Sequence, residues 1–500
     1  MKKQKNDTSG NVDGLDTDVI IIGGGAGLAA AAAAAEKGAR VIVLERLKTT
    51  GGNASLAAGI LAAESPVQKR LKIDATREYL FKASMDYARW MINPRLVKAF
   101  IDKSGDTIRW LEEMGITFED IPFCYPNQLP RIFHVVSGHG RRLIRTLHKR
   151  CEALGVKILC ETAAMKISVA ENGEVTGVLA KQKEKTLSIN AKAVVIATGG
   201  YSGNKELLKK HYPHYTENLR LYGKPCPGDG LRMAIETGAA TEGLGAVIAM
   251  GPLFKGSNYV HVVAMECNTL WVNNNGERFI NEDIIPSASS NALNMQPDGI
   301  SFTLFDSRIK EGFINDGTVK AVEPQRYPAG TRMINLDNKL KKEENRGTVK
   351  ISRSWKEIAK WIGTDLKILK NTITEYNRYC NRGRDEEFYK DRRFLQPLEI
   401  PPFYALKCTQ AHHGTIGGIK INHYMEVMNS SNNKIPGLYA SGNDAGGWVA
   451  DSYPHHLTGT ALSFALNSAR IAGENAVEYL KKLMWLAGDA VKLSSKKNKS

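Results

Sequence analysis

The first regular element the pattern predicts is Asp18 to Ile22 (DVIII), a short β-branched apolar run without polar alternation, as in a strand buried on both faces of a parallel sheet. Glycines follow, then an Ala-rich helix ending near Lys37-Gly38, then a second apolar strand over Arg40 to Leu44. Together these make one βαβ unit. The signature returns in AKAVVIATGGYSG, a strand running into Thr198-Gly199-Gly200. It returns again in GLYASGNDAGG, where Gly437 to Ala440 leads into Gly442, Asn443 and Asp444. Between them lie strand-like TLWVNN and a polar helical stretch, SWKEIAKWIGTDLKILKNTITEYNRYC, whose Trp and Ile residues recur at helical spacing and read as packing. Lys339 to Gly347 is charged and reads as a surface excursion. The expected fold class is α/β, a Rossmann-like domain with an α+β insertion.

The turns carry the first chemistry. Glu45 closes the second strand twenty residues after Gly25. In a dinucleotide fold an acid there accepts hydrogen bonds from the adenosine ribose, while glycines admit the pyrophosphate to the helix N-terminus. The candidates are Gly23, Gly24, Gly25, Ala26 and Gly27. The spacing is G-x-G-x-G rather than G-x-G-x-x-G. Either the loop is one residue short, or Gly24 and Gly27 take the second and third roles. A packing unit without nucleotide is the other reading of this segment alone. In KTTGGNASLAAGI, residues Gly51, Gly52, Asn53, Ala54 and Ser55 offer small side chains and free amides suited to a flavin and its phosphates.

Composition narrows the class. The 500 residues suffice for two or three domains, or for one large domain with an insertion. The first eighteen residues lack the apolar centre of a secretory signal, and Val19 to Ala35 is interrupted by four glycines, so neither export nor a membrane span is expected. The seven cysteines (Cys124, Cys151, Cys160, Cys226, Cys267, Cys380, Cys408) form no C-x-x-C, which argues against haem, iron–sulfur and Cys-based zinc sites. No metal is expected, and the thiols read as reduced in a cytoplasm. Much of the net charge of +16 sits in Lys-rich ends and short runs such as KLKKEE, without a nucleic-acid motif, and reads as a solvated surface.

These segments, with SGHGRRLIRTL (137–147), GDGLRMAIETGAA (228–240), NNNGERFINE (273–282), HHGTIGGIKIN (412–422) and GTALSFALNSARIAGENA (459–476), resemble the flavoprotein superfamily of soluble fumarate reductases, urocanate-type reductases and 3-ketosteroid dehydrogenases. The likeness runs from about residue 17 to 480. It implies a noncovalent FAD in a Rossmann-like, glutathione-reductase-like domain formed by 17–240 and 395–485, capped by an inserted α+β domain, 241–394. Residues 1–16 and 486–500 would be a polar and a basic tail. Arg46, Ala58, Gly59, Asp229, Gly459, Ala461 and Leu462 complete the implied cofactor set, beside Thr198, Gly199, Gly200, Gly442, Asn443 and Asp444. No second nucleotide fingerprint is present, so a dedicated NAD(P)H domain is not expected, which leaves room for a separate redox partner.

Superfamily chemistry moves a hydride between flavin and a carbon near an activating carbonyl or carboxyl, while donors stabilise charge developing on the oxygen. The fumarate reductase pattern supplies arginines for a dicarboxylate. RFINEDIIPSASS has none after Arg278, with Pro286 and Ser287 near the expected place; HHLTGTAL puts His456 where the clamping arginine would stand; and AMGPLF puts Gly251 where a histidine would be. His413, with Thr415, Gly417 and Gly418, matches the remaining substrate histidine. The dehydrogenase pattern fits better, with Gly442-Asn443 and Tyr453-Pro454 ahead of Gly459. There the tyrosine hydroxyl and the Gly459 amide would bind a carbonyl oxygen. For proton transfer the candidates are Tyr259, His261, His455 and His456.

The leading expectation is therefore an FAD enzyme acting on a carbon–carbon bond conjugated to the carbonyl of a largely neutral, steroid-like or cyclic small molecule, in either direction. One alternative is reduction of a monocarboxylate 2-enoate, with His456, Arg141 or Arg142 holding the acid. The other is a non-catalytic flavin electron-transfer protein.

Overall fold

In the computed structural model the described residues are 12–122, 130–320 and 327–497, with side chains described over 14–486 within these ranges. Cys124 lies outside them. The chain divides into two compact units. Unit 1 comprises Met1–Tyr212, Gly223–Val247 and Gly414–Ser500; unit 2 comprises Pro213–Tyr222 and Ile248–His413.

Unit 1 is built on a six-stranded sheet in the order Glu426–Met428, Lys434–Ala440, Ala193–Ile196, Val19–Ile22, Val41–Leu44, Lys157–Leu159. All neighbours are parallel except the 426–440 hairpin. Val19–Ile22 and Val41–Leu44 are buried on both faces, which is why their sequences show no alternation. Helix Gly27–Glu36 is buried from Gly27 to Ala34. A Cβ on Gly473, in the long helix Thr460–Lys497, would lie 2.3 Å from the Ala30 carbonyl oxygen, so alanine and glycine let these helices meet backbone to backbone.

Four further strands form a second sheet, and its edge corrects the expected N-terminal tail: Val12–Asp16 pairs in parallel with Lys185–Asn190. The expected C-terminal tail likewise continues the last helix through Lys497.

In unit 2, Phe403–Ile419 is flanked by Ile300–Phe305 and Val349–Ser352, both antiparallel to it over its first half. Arg220–Leu221 pairs with Ala411–His412. These pairings explain why residues 395–413 and 213–222 belong to unit 2 although the insertion is expected over 241–394. Thr241–Val247 stay with unit 1. The charged segment 339–347, expected as an excursion, is mostly helix Leu336–Asn345, anchored by buried Leu336 and Leu340 at i, i+4. Arg278 of the R-F-I-N-E segment is buried, its guanidinium donating to Glu282 and to Asp385 (2.9 and 2.8 Å).

One buried acid in this unit sets a pH dependence. Glu266 accepts the Val319 and Lys320 N–H groups (2.7 and 3.1 Å) on one oxygen, while its other oxygen has no partner among the described residues. Burial pushes its pKa up from 4.5 to about 7. A carboxyl raised by folding supports the fold fully below its unfolded pKa and loses that contribution as pH rises through the folded one. Glu266→Gln is therefore expected to stabilise the protein by about 2 kcal/mol near pH 8 and by almost nothing near pH 4, read from urea melts at the two pH values.

Candidate functional site

The glycine turn resolves its own irregular spacing. Gly23 has φ +112°, and a Cβ there would stand 2.2 Å from the Ala197 carbonyl oxygen, so it makes the tight turn. A Cβ on Gly27 would lie 3.0 Å from the Ala197 Cβ and the Ile21 Cγ2, so it seats the helix on the sheet. Gly25 is different: its nearest neighbour at the Cβ position is the Gly51 oxygen, at 3.4 Å, and Gly52 is open to 3.9 Å. The loop is one residue short, and Gly25 meets the second glycine loop at van der Waals distance, backbone to backbone.

Three features bear on how these loops would meet a dinucleotide. The Gly51 N–H donates to the Gly24 carbonyl (2.8 Å), which sets the second glycine loop beside the first. No side chain caps helix 27–36 at Ala26, and the Leu28 and Ala29 N–H groups turn back onto the Gly25 and Ala26 carbonyls (3.2 and 2.9 Å). Glu45 stands buried at the end of its strand, but its carboxylate is turned onto the loop, accepting from the Gly24 and Leu47 N–H groups (both 2.9 Å). Its ribose role would use the remaining lone pairs.

Other expected cofactor residues act on the protein itself. Buried Asp444 accepts from the Thr198 hydroxyl (2.8 Å) and from the Gly199 and Gly200 N–H groups (2.9 and 3.0 Å). This clasp spends the amides expected to face the cofactor, and burial raises the Asp444 pKa. Gly59 is required by strand pairing, since a Cβ would stand 2.4 Å from the His134 oxygen, and the Ala58 carbonyl accepts from Val136 N–H (3.1 Å). Gly442 donates its N–H to Ser468 Oγ (3.0 Å), with Asn443 beside it in the same turn. Asp229 opens helix Asp229–Glu236. Arg46 donates to the Pro225 carbonyl (2.7 Å). Asn53 exchanges two hydrogen bonds with the Lys224 backbone (2.7 and 3.0 Å).

The Tyr453 loop lies in the same unit. Tyr453 is buried, and its hydroxyl oxygen accepts the Ala461 N–H (2.9 Å) in the first turn of helix Thr460–Lys497. Gly459, expected to act beside Tyr453 on a substrate oxygen, seats the helix start, with φ +87° and a Cβ position 2.6 Å from the Leu61 nitrogen. Leu462 is buried behind it. Burial pushes the Tyr453 pKa up to about 12, so the phenol keeps its proton. The His455 ring meets the Tyr453 ring edge-on at 4.8 Å. His456 lies against Tyr87 (4.6 Å between ring centroids), and burial lowers its pKa, favouring neutral imidazole.

Tyr87 is a residue the sequence reading missed. Its hydroxyl bonds Ser452 Oγ (3.1 Å) and donates to the Tyr453 carbonyl (3.2 Å). The same segment holds the loop through the Arg89–Asp451 ion pair and the Asn93 N–H on the Gly447 carbonyl. No local pattern links residues more than 350 positions apart.

The remaining candidates are in unit 2. Nδ1 of His413 lies 2.9 Å from the Tyr222 carbonyl oxygen, and burial lowers its pKa. Tyr259 accepts the Asn335 N–H (3.2 Å). His261 is buried beside the hydrophobic core, its Nδ1 accepting the Phe254 N–H (3.3 Å), and burial lowers its pKa to about 4. A histidine so enclosed is a core residue, which corrects its expected proton-transfer role. Arg141 and Arg142, considered for a carboxylate, are exposed on helix His139–Ala153, and Arg142 donates to the Gly115 carbonyl (3.3 Å). Among the described residues no cluster could hold a metal ion, and no helix is long and apolar enough to cross a membrane.

The vinyl phenol reductase of Lactiplantibacillus plantarum is 29% identical over 461 residues, 89% of this chain and 92% of that protein. A fumarate reductase (cytochrome) of Shewanella frigidimarina is 29% identical over 452 residues, 89% of this chain and 74% of that one. The fold matches the crystal structure of a 3-ketosteroid delta1-dehydrogenase from Sterolibacterium denitrificans with a TM-score of 0.77, at 19% identity, covering 92% of this chain and 99% of the other. Residues 18–458 match the FAD binding domain family, whose cofactor the two glycine loops fit; the chain belongs to that family and is an FAD-dependent oxidoreductase.

Proposed function

We propose that this enzyme transfers a hydride between noncovalently bound FAD and a carbon–carbon bond conjugated to an oxygen function on a largely neutral, cyclic or aromatic substrate. The observation that carries this reading is Tyr453: a buried phenol that keeps its proton, its oxygen already receiving a backbone N–H. Such a hydroxyl is oriented to donate to a carbonyl or phenolic oxygen as charge develops there. Bound FAD would supply the hydride or accept it, at flavin N5. The residues fit to hold it are Gly23, Gly24, Gly25, Ala26, Gly27 and Glu45, with Gly51, Gly52, Asn53 and Ser55.

Within the Tyr453 loop the side chains argue against a dicarboxylate. His456 takes the place expected of a clamping arginine and is held towards its neutral form, so it offers a neutral hydrogen bond rather than a charge-assisted one. His455 or His456 is the candidate for moving the proton. The vinyl phenol reductase relative is named for a neutral alkene, in keeping with this choice.

Reoxidation of the photoreduced enzyme without oxygen tests the proposal. 2-Cyclohexenone, a 3-keto-4-ene steroid or 4-vinylphenol is expected to restore the oxidised flavin spectrum, while fumarate, urocanate and cinnamate leave it bleached. Reoxidation by the carboxylates alone would sink the reading. A reducible flavin indifferent to the whole panel would favour an electron-transfer protein. Release of all flavin on acid precipitation checks that it is noncovalent.

A further inference from the structure

The segment Lys224–Cys226 is absent from the residues that dinucleotide patterns single out, yet it packs on the second glycine loop of unit 1. Lys224 and the Asn53 side chain are joined in both directions: the Lys224 N–H donates to Asn53 Oδ1 (2.7 Å), and Asn53 Nδ2 donates to the Lys224 carbonyl (3.0 Å). The Arg46 guanidinium holds the next residue by its carbonyl (2.7 Å). On the other side, a Cβ on Gly199 would lie 3.1 Å from Cys226 Sγ. The segment therefore bridges the loop at 46–55 and the turn at 198–200.

Its position gives the Lys224 side chain one direction to take. The ammonium reaches back over the second loop and donates to Ser55 Oγ (3.2 Å). That hydroxyl is committed in turn to the Gly52 carbonyl (2.8 Å). Lys224 is half-buried, and among the described residues no carboxylate lies within ion-pair distance of it. Two buried acids on the loops of this unit are spent elsewhere: Glu45 on the Gly24 and Leu47 amides, Asp444 on the 198–200 turn. A partly desolvated cation balanced by one hydroxyl is under-compensated. Its partner Ser55 follows Gly51 and Gly52, both at positive φ. A cation beside a glycine turn of this kind favours negative charge.

We infer that Lys224 is a cofactor-binding residue whose ammonium pairs with the diphosphate of FAD; this rests on the reading of the two glycine loops as the FAD site. The pairing is a charge-assisted hydrogen bond in a partly water-excluded place, so it contributes to affinity and to its salt dependence. It requires the diphosphate and not the isoalloxazine ring, which gives the test its controls.

Apoprotein prepared from the holoenzyme is titrated with FAD and with riboflavin, and the midpoint potential of each reconstituted protein is measured. Lys224→Met is expected to weaken FAD by at least about tenfold while leaving riboflavin affinity and the potential unchanged, and Lys224→Arg to stay within about threefold of the parent. Unchanged FAD affinity overturns the inference, as does an equal loss for riboflavin or a shifted potential, which would put the cation at the flavin ring. Gly25→Val in the same titration separates the two levels: if it too leaves FAD affinity unchanged, the site reading fails, and if only it loses FAD, Lys224 alone is excluded. Should Lys224→Met not fold by circular dichroism, the parent decides, because FAD affinity must then fall with added salt more steeply than riboflavin affinity.

Discussion

Gly25→Val is expected to give a folded protein that binds no flavin. Gly25 is not among the residues with positive φ, and a Cβ there meets the Gly51 carbonyl oxygen and carbon at 3.4 and 3.8 Å and the Gly52 Cα at 4.0 Å, ordinary contacts. A Cβ is therefore tolerated by the polypeptide, and the valine methyl groups add bulk where the two glycine loops meet. Loss of close backbone approach to the diphosphate should weaken FAD by about a thousandfold or more, roughly 4 kcal/mol. Gly23→Val is the contrast. It forces a β-branched residue to φ +112°, with its Cβ 2.2 Å from a backbone oxygen, and should abolish folding instead. Flavin absorbance per mole of protein, read beside far-ultraviolet circular dichroism, distinguishes the two. A Gly25→Val protein that purifies with stoichiometric FAD would remove the site from between these loops.

What the sequence made legible follows from range. Val19–Ile22, helix Gly27–Glu36 and Val41–Leu44 are contiguous, so an uninterrupted apolar run and an Ala-rich stretch report their burial directly. The Tyr-Pro loop before the last helix was legible for the same reason. Contacts between distant segments were not. Asp444 looks like a cofactor ligand beside Gly442 and Asn443, but its carboxylate closes the turn at Thr198, 246 residues away. The Tyr453 hydroxyl accepts the Ala461 N–H and Gly459 packs the helix start against Leu61, contacts over which the sequence is silent. The division of the chain fell elsewhere than expected for a related reason. Residues 403–409 carry their unit assignment in the strands they pair with, Ile300–Phe305 and Val349–Ser352, not in their own composition. His261 shows the limit of residue type as a guide, since its imidazole differs from a catalytic one only in what surrounds it.

Tyr453→Phe should lower kcat on a neutral enone or vinylphenol by about a hundredfold to a thousandfold, the usual loss when one preorganised donor to a developing oxyanion is removed. FAD affinity and the flavin spectrum should stay as in the parent, since the ring still fills its buried place and the change leaves only the Ala461 N–H without its acceptor, at a cost of about 1 kcal/mol in stability. The pH profile separates donor from bystander. With its pKa up at about 12, the Tyr453 phenol is protonated throughout the working range, so the parent's kcat should be flat from about pH 6.5 to 9 as far as this group decides it. His456, whose pKa burial lowers from 6.5, is neutral over the same range. Were imidazolium the required acid, activity would climb as pH falls below 6.5 and vanish towards neutrality. His456→Gln keeps a neutral donor and should preserve most of kcat, whereas His456→Ala opens the wall against Tyr87 and should raise KM more than it lowers kcat. A Tyr453→Phe enzyme that retains a third of the parent kcat would transfer the oxygen-binding role to another residue.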